Sequence, residues 1–257
     1  MKRQGTLAAV GRAFELGGVA TRSILRNPGK LGCLFSSADQ ELVLTGATYA
    51  PWRADEPFLR VWESIRESTM VDRYRCYDLW QLVAETAQLS GVFLEVGVFR
   101  GGTGALIAAR ARSLGIDETV YLCDTFRGLV KAGAPDAFHR DGDFANTSEA
   151  GVEHLLASMG VSNVKVLVGI FPDETGHLIQ PARVRFCHID VDTYESAKGV
   201  FEWVWPRLAR GAVVVFDDYG FRSTPGVTRF VNTLRQGSGR VVLHNLNGHA
   251  VVVRVDP

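Results

Sequence analysis

From residue 92 onward, short apolar runs rich in β-branched residues alternate with stretches of helical periodicity, and this rhythm restricts the chain to few architectures. The runs cover residues 92–98, 119–124, 164–169, 184–191 and 212–216. Between and after them lie candidate helices at 102–114, 147–159, 194–208 and 226–235. A strand that reads as continuously apolar is buried on both faces, and helices between such strands make the crossovers of a parallel sheet. The chain ends differently. Residues 240–244 and 249–255 are two strand candidates joined through Leu246-Asn247-Gly248, and Asn-Gly is a strong hairpin signal.

A parallel α/β sheet closed by an antiparallel hairpin predicts the Rossmann-like, seven-stranded sheet of class I methyltransferases; the plain dinucleotide-binding fold has no such hairpin. Upstream, residues 56–70 place Leu59, Trp62, Ile65 and Met70 at helical spacing, and 74–89 do the same with Tyr77, Leu79, Leu82, Val83 and Leu89. Residues 1–55 are irregular and punctuated by Gly, Pro and Ser, with one weak helical candidate at 7–16, so the domain proper is assigned to 56–257.

Composition removes several classes. Lys plus Arg and Asp plus Glu both number 28, a neutral balance unlike that of chains built to neutralise nucleic-acid phosphates. Cys33, Cys76, Cys123 and Cys187 show no Cys-x-x-Cys pairing and read as reduced thiols. Arg12 and Glu15 interrupt the only apolar stretch near the start, and no run approaches the roughly 18 residues a membrane span needs. The expected location is the cytoplasm, with no membrane partner.

In open α/β sheets ligands gather outside the carboxyl ends of the strands, so the chemistry is sought there. The first strand runs into Glu95-Val96-Gly97-Val98-Phe99-Arg100-Gly101-Gly102-Thr103-Gly104 before a helix. Glycines allow a sharp turn and close approach of a ligand, and helix-start amides with Thr103 suit a carboxylate. Gly97 and Gly101 are spaced Gly-x-x-x-Gly, not Gly-x-Gly-x-x-Gly, and are preceded by an acid. Glu95 suits the ammonium of S-adenosylmethionine and would repel a pyrophosphate; a plain tight turn is the alternative. Asp124, ending the second strand about 20 residues further on, can accept bonds from ribose hydroxyls or cap the turn that follows. Gly169 and Phe171 after the third strand are candidates to lie along an adenine, with core packing as the other role for Phe171.

The most informative stretch is His188-Ile189-Asp190-Val191-Asp192-Thr193-Tyr194 at the end of the fourth strand. Alternation puts His188, Asp190 and Asp192 on one side while the strand stays extended. The fifth strand stops at Asp217-Asp218-Tyr219, and the two acidic tips should meet. Carboxylates brought together repel one another unless a positive charge sits among them. Oxygen ligands without a Cys/His set favour Mg²⁺ or Mn²⁺, and Asp190, Asp217 and Asp218 are the expected ligands, with helix capping as the alternative. Such a cation lowers the pKa of a coordinated hydroxyl and orients its oxygen toward a methyl sulfonium, while a nearby base takes the proton. Asp192 is the expected base and His188 the reserve, or else a satisfied core histidine.

These residues resemble the macrocin O-methyltransferase family. The likeness rests on Glu95-Val96-Gly97, Asp124-Thr125-Phe126-Arg127-Gly128, the 188–194 stretch and Asp217-Asp218-Tyr219-Gly220, with Phe144-Ala145-Asn146-Thr147-Ser148 between them, and spans about 55–235 in motif order. The resemblance implies S-adenosylmethionine, Mg²⁺ and methylation of a deoxysugar hydroxyl, on a glycoside or a nucleotide-linked sugar, in antibiotic or related biosynthesis. It also implies homo-oligomers and an N-terminal segment, here 1–55, that helps cover the site. Catechol O-methyltransferases share the metal logic but carry a lysine where this chain has Thr193, which favours Asp192 as base. Where many members follow the strand-two motif with Leu-Pro, this chain has Gly128-Leu129-Val130-Lys131, a departure that bears on the acceptor. Arg53, Arg60, Arg66, Arg73, Arg75 and Arg222 are candidates for a diphosphate, or else a solvated helix face. Trp52, Trp62 and Tyr219 are candidates for stacking on sugar or aglycone, or else core. A nicotinamide-dependent oxidoreductase and a non-catalytic binding protein are the rival classes.

Overall fold

A computed structural model describes residues 49–179 and 183–256; the 1–48 part of the expected N-terminal segment, including the helical candidate at 7–16, lies outside the described residues. Seven strands form one sheet: β1 (Val92–Val96), β2 (Val120–Asp124), β3 (Val164–Val168), β4 (Val184–Ile189), β5 (Leu208–Phe216), β6 (Arg240–His244) and β7 (Ala250–Arg254). The order is β3-β2-β1-β4-β5-β7-β6. β1 to β5 pair in parallel, and the hairpin inserts β7 antiparallel to β5 with β6 at the edge. This is the class I methyltransferase sheet that the sequence predicts.

The helices are α1 (Glu56–Ile65), α2 (Arg73–Glu85), α3 (Gly102–Ser113), α4 (Glu149–Ser158), α5 (Tyr194–Val204) and α6 (Pro225–Leu234). Strand alternation divides the core in two. Phe93, Phe186, Val213 and Val215 face a cluster with Phe58, Trp80, Leu106 and Ile107 from α1, α2 and α3. Leu94, Cys187, Val214 and Phe216 face a second cluster with Val200, Phe201, Phe230 and Val231 from α5 and α6. The same alternation assigns Glu95, His188, Asp217 and His249 to the α1–α3 face, since their strand neighbours on the other parity belong to the second cluster.

Several boundaries differ from the periodicity, some of them for an evident local reason. α1 stops at Ile65, short of Met70, because the chain there crosses the start of α3: the Ser68 carbonyl accepts from the Gly102 amide at 3.1 Å. A Cβ on Gly102 would stand 2.7 Å from Thr69, so the crossing needs glycine. α2 begins at Arg73 because Asp72 caps it, accepting from the Tyr74 and Arg75 amides. α5 ends at Val204, not 208, since Pro206 falls in the turn Trp205–Arg207 and cannot donate to the helix ladder. Leu208 then starts β5 earlier than expected and pairs with Val184.

No helix among the described residues is long and apolar enough to cross a membrane. Cys76, Cys123 and Cys187 are free and buried. Burial, aided by nearby carboxylates, pushes all three thiols above the ordinary range. Because the thiolate is the reactive form, these three are expected to stay silent to a disulfide reagent such as Ellman's in native buffer and to react only as the protein unfolds. Fast stoichiometric labelling of any of them without loss of structure would contradict this packing.

Candidate active site

The carboxyl ends of β1, β4, β5 and the hairpin turn bring together two tiers of ionisable groups. The lower tier is enclosed. Glu95 and His188, cross-strand partners, are both 0% exposed, and Glu95 Oε1 lies 2.9 Å from His188 Nδ1. Glu95 Oε2 and His188 Nε2 have no hydrogen-bond partner among the described residues. Beside them Asp217 meets His249, whose Nδ1 bonds Asp78 Oδ2 at 2.7 Å and whose Nε2 lies 3.1 Å from Asp217 Oδ1. That second contact is an ion pair. Burial alone would lower the pKa of His249, but Asp217 and Asp78 outweigh it and raise it to about 9, so the imidazolium form is held.

Arg75, 3% exposed on α2, completes the lower tier. Its Nη1 lies 2.6 Å from both Asp217 Oδ1 and Asp218 Oδ1, and its Nε lies 2.9 Å from Asp72 Oδ2. Asp217 is buried, which would raise its pKa, yet Arg75 and then His249 hold it well below the usual carboxylate range.

The upper tier is half-buried. Asp190, Asp192 and Asp218 each offer an oxygen within 4.8 Å of the others. β4 ends at Ile189, so alternation does not carry Asp192 to this side. A left-handed turn does, with Asp192 at φ 57° and the Thr193 amide bonding the Val191 carbonyl at 2.6 Å. Asp218 is left-handed too, at φ 58°, a conformation Asp tolerates better than most residues. Burial and then Asp217 push Asp190 well above the ordinary range; burial and then Asp218 do the same for Asp192. Burial and Asp217 also raise Asp218, against the pull of Arg75. The acidic tips therefore converge, and the compensation that Arg75 and His249 supply is centred on Asp217.

The nucleoside end is arranged around the same strands. Gly97 has φ 88°, and a Cβ there would stand 1.8 Å from the Asp190 carbonyl oxygen, so the turn after β1 packs directly on the acidic tip. Gly101, left-handed, caps α3 against Val152, and Thr103 is buried in the first turn. Asp124 accepts from the Val98 and Phe99 amides with Oδ2 and from the Phe126 amide with Oδ1, fastening the glycine turn to β2. The turn-capping alternative for Asp124 is thus realised. Gly169 pairs with the Asp124 carbonyl at φ 145°.

Three expected contacts change. Glu95, expected to face an ammonium, is sealed below the turn against His188, because it shares strand parity with Phe93 and lies under Gly104. Phe171 is 5% exposed and sits edge-to-face on Trp203 at 4.8 Å, so its place is the core and not an open adenine face. Likewise, His188 presents no surface to an acceptor.

Neither His249 nor a place for Arg75 in the acidic cluster follows from the strand and helix patterns of the sequence. His249 adjoins the Asn-Gly turn, and only the insertion of β7 beside β5 brings it to Asp217. Arg75 differs from Arg60 and Arg66, which make exposed ion pairs along α1 with Glu56 and Glu63 as a solvated helix face does. A possible signal was the run Asp72, Arg75, Asp78, one ionic residue per helical turn on an otherwise apolar face. Trp52 packs among Tyr49, Tyr74 and Tyr77, and the Tyr219 hydroxyl bonds Asn232 at 2.9 Å. The segment that departs from the family pattern borders the site: the Val130 carbonyl accepts from Thr193 and Ser196, and Asp136 accepts from the Tyr194 amide.

Sheet order, hairpin and acidic strand ends together define a class I methyltransferase fold. The profile of the macrocin-O-methyltransferase (TylF) family matches residues 61–252, and the chain belongs to that family. It is 32% identical over 174 residues to 8-demethyl-8-(2,3-dimethoxy-alpha-L-rhamnosyl)-tetracenomycin-C 4'-O-methyltransferase of Streptomyces olivaceus, covering 62% of this chain and 65% of that protein. It is 29% identical over 165 residues to demethyldecarbamoylnovobiocin O-methyltransferase of Streptomyces niveus, covering 59% and 62%. The chain thus matches less than two thirds of the length of these relatives. Among solved structures, the O-methyltransferase NovP superposes with a TM-score of 0.66 at 24% identity, covering 74% of this chain and 83% of NovP. The calicheamicin methyltransferase CalS11 superposes with a TM-score of 0.61 at 18% identity, covering 86% and 99%.

The lower tier yields a graded prediction. Replacing His249 with Phe removes one of the cations holding buried Asp217 and should cost about 3 kcal/mol in urea unfolding. Asp78→Asn, at a partly exposed carboxylate, should cost about 1 kcal/mol or less. Equal effects of the two would refute the enclosed pairing of His249 with Asp217.

Proposed function

We propose that the chain is an S-adenosylmethionine-dependent O-methyltransferase that methylates a deoxysugar hydroxyl in natural-product biosynthesis, with a divalent cation, Mg²⁺ in the first place, held by Asp190, Asp217 and Asp218. The observation that carries the metal reading is electrostatic. Three carboxylates from two strand tips, Asp190, Asp192 and Asp218, each offer an oxygen within 4.8 Å of the others, Asp217 adjoins them through Arg75, and Asp190 and Asp192 have no cationic side chain in hydrogen-bond contact among the described residues. Buried like charges persist only with a partner, and an all-oxygen set suits a hard cation. Arg75 Nη1 lies 2.6 Å from both Asp217 and Asp218, and the concentration of positive charge on that pair supports the reading that the two act together. When bound, such a cation would acidify and orient the acceptor hydroxyl.

The chain's own residues account for the rest. Asp192, half-buried beside the ligand set, takes the hydroxyl proton as the oxygen–methyl bond forms and the sulfur–methyl bond breaks, leaving S-adenosylhomocysteine. His188, enclosed and bonded to Glu95, steadies the strand end below Asp190 instead of meeting the acceptor. The turn at Gly97 and Gly101 with Thr103 receives the methionine end of the cofactor, Asp124 and Gly169 border its ribose and adenine, and Asp124 keeps the turn shaped for it. Family membership and the rhamnosyl group in the name of the Streptomyces olivaceus relative support a sugar acceptor over a catechol, and methyl transfer over hydride transfer. The proposal also includes a cytoplasmic homo-oligomer.

A methyl-transfer screen against free, nucleotide-linked and scaffold-linked deoxysugars, with Mg²⁺ or EDTA, tests the reading. Turnover is expected with a deoxysugar, to vanish in EDTA and to return with Mg²⁺. Asp192→Asn should lower kcat by about 10²-fold or more while leaving S-adenosylhomocysteine binding within a few-fold. Full turnover in EDTA would remove the metal, and full turnover of Asp192→Asn would remove the base.

A further inference from the structure

Resting on the metal reading above, we propose that Arg75 is a displaceable internal counter-ion that competes with the divalent cation for Asp217 and Asp218. Its position points to this. One nitrogen, Nη1, bonds one oxygen of each carboxylate at 2.6 Å, so two of the groups proposed to hold the cation already share one positive centre. Two positive centres on the same pair of oxygens would lie close enough to repel strongly in a buried site.

Arg75 has somewhere to go. Its Nε bonds Asp72 Oδ2 at 2.9 Å, and the other oxygen of Asp72 has partners of its own. Asp72 Oδ1 accepts from the Tyr74 and Arg75 amides and from Asn247 Nδ2. The guanidinium also lies 5.1 Å from the Phe221 ring, a second resting place for a cation. The long side chain can therefore release Nη1 from Asp217 and Asp218 while Asp72 retains it. In the metal-free protein Arg75 keeps the two aspartates from repelling each other; on metal binding its charge passes to Asp72. Asp72 and Asn247 place this exchange at the junction of α2 with the hairpin turn, so the site's occupancy is felt by both.

The test is Mn²⁺ affinity, read by calorimetry and by electron paramagnetic resonance of free Mn²⁺, on the full chain and two variants. Arg75→Met removes the competitor and should bind Mn²⁺ at least about tenfold tighter. It should melt lower than the parent protein in EDTA and regain the difference when Mn²⁺ is added. Asp72→Asn keeps a helix cap but takes away the alternative partner of Arg75, and should bind Mn²⁺ several-fold more weakly. A merely structural Arg75 would weaken binding in the Met variant or leave it unchanged, and either result overturns the proposal. If Arg75→Met does not fold, Asp72→Asn decides by itself: unchanged or tighter binding overturns it. If neither the parent protein nor Arg75→Met binds Mn²⁺, the metal reading fails and this inference falls with it. Binding by the parent with no change in either variant defeats only the competition.

Discussion

Repulsion among Asp190, Asp192, Asp217 and Asp218 is the constraint around which the carboxyl end of the sheet is organised. These side chains are pressed together by strand pairing that they oppose, and the fold keeps them there through the apolar residues behind them: Phe186, Cys187 and Ile189 on β4 and Val213 to Phe216 on β5. The compensation is uneven. Asp217, the deepest, is held ionised by Arg75 and His249, whereas at Asp190 and Asp192 burial and the neighbouring charges of Asp217 and Asp218 outweigh the pull of Arg75. Such an imbalance destabilises a fold unless a ligand relieves it, which is the physical case for a functional site.

The two tiers separate support from reactivity. Glu95, His188, His249 and Asp78 form pairs beneath the rim, each carboxylate fixing one imidazole by its Nδ1. Above them, Asp192 and Asp218 reach the rim through left-handed turns, a backbone form that costs energy for a residue with a Cβ. The glycine turn belongs to the same unit: Gly97 touches the backbone of Asp190, and Asp124 ties the turn to β2. A displacement at the cofactor end would therefore be felt at the acidic tip through backbone contact.

The fold was legible in the sequence to a large degree because its signals are local. Continuous β-branched runs, intervening periodic stretches and the Asn-Gly turn each act within a few residues, and together they leave one sheet topology. Boundaries shifted where a distant partner intervened, as when the start of α3 needed the Ser68 carbonyl and α1 stopped at Ile65. The acidic stretches were legible for the same reason as the strands: carboxylates at the end of an apolar run mark a strand's carboxyl tip wherever the sheet order places it.

Sequence by itself determined the sheet, the hairpin, the family and the presence of two acidic tips that must meet. Tertiary structure alone decided which charges stand among them. Arg75 and His249 are separated from Asp217 by 142 and 32 positions respectively, and nothing local distinguishes a helix arginine that faces solvent from one that faces a sheet end. It also decided that Glu95 and Phe171 turn inward, since burial depends on what packs above a residue and not on its neighbours in the chain. Strand and helix periodicity is a short-range property of the backbone, whereas electrostatic compensation is a long-range property of the packed protein.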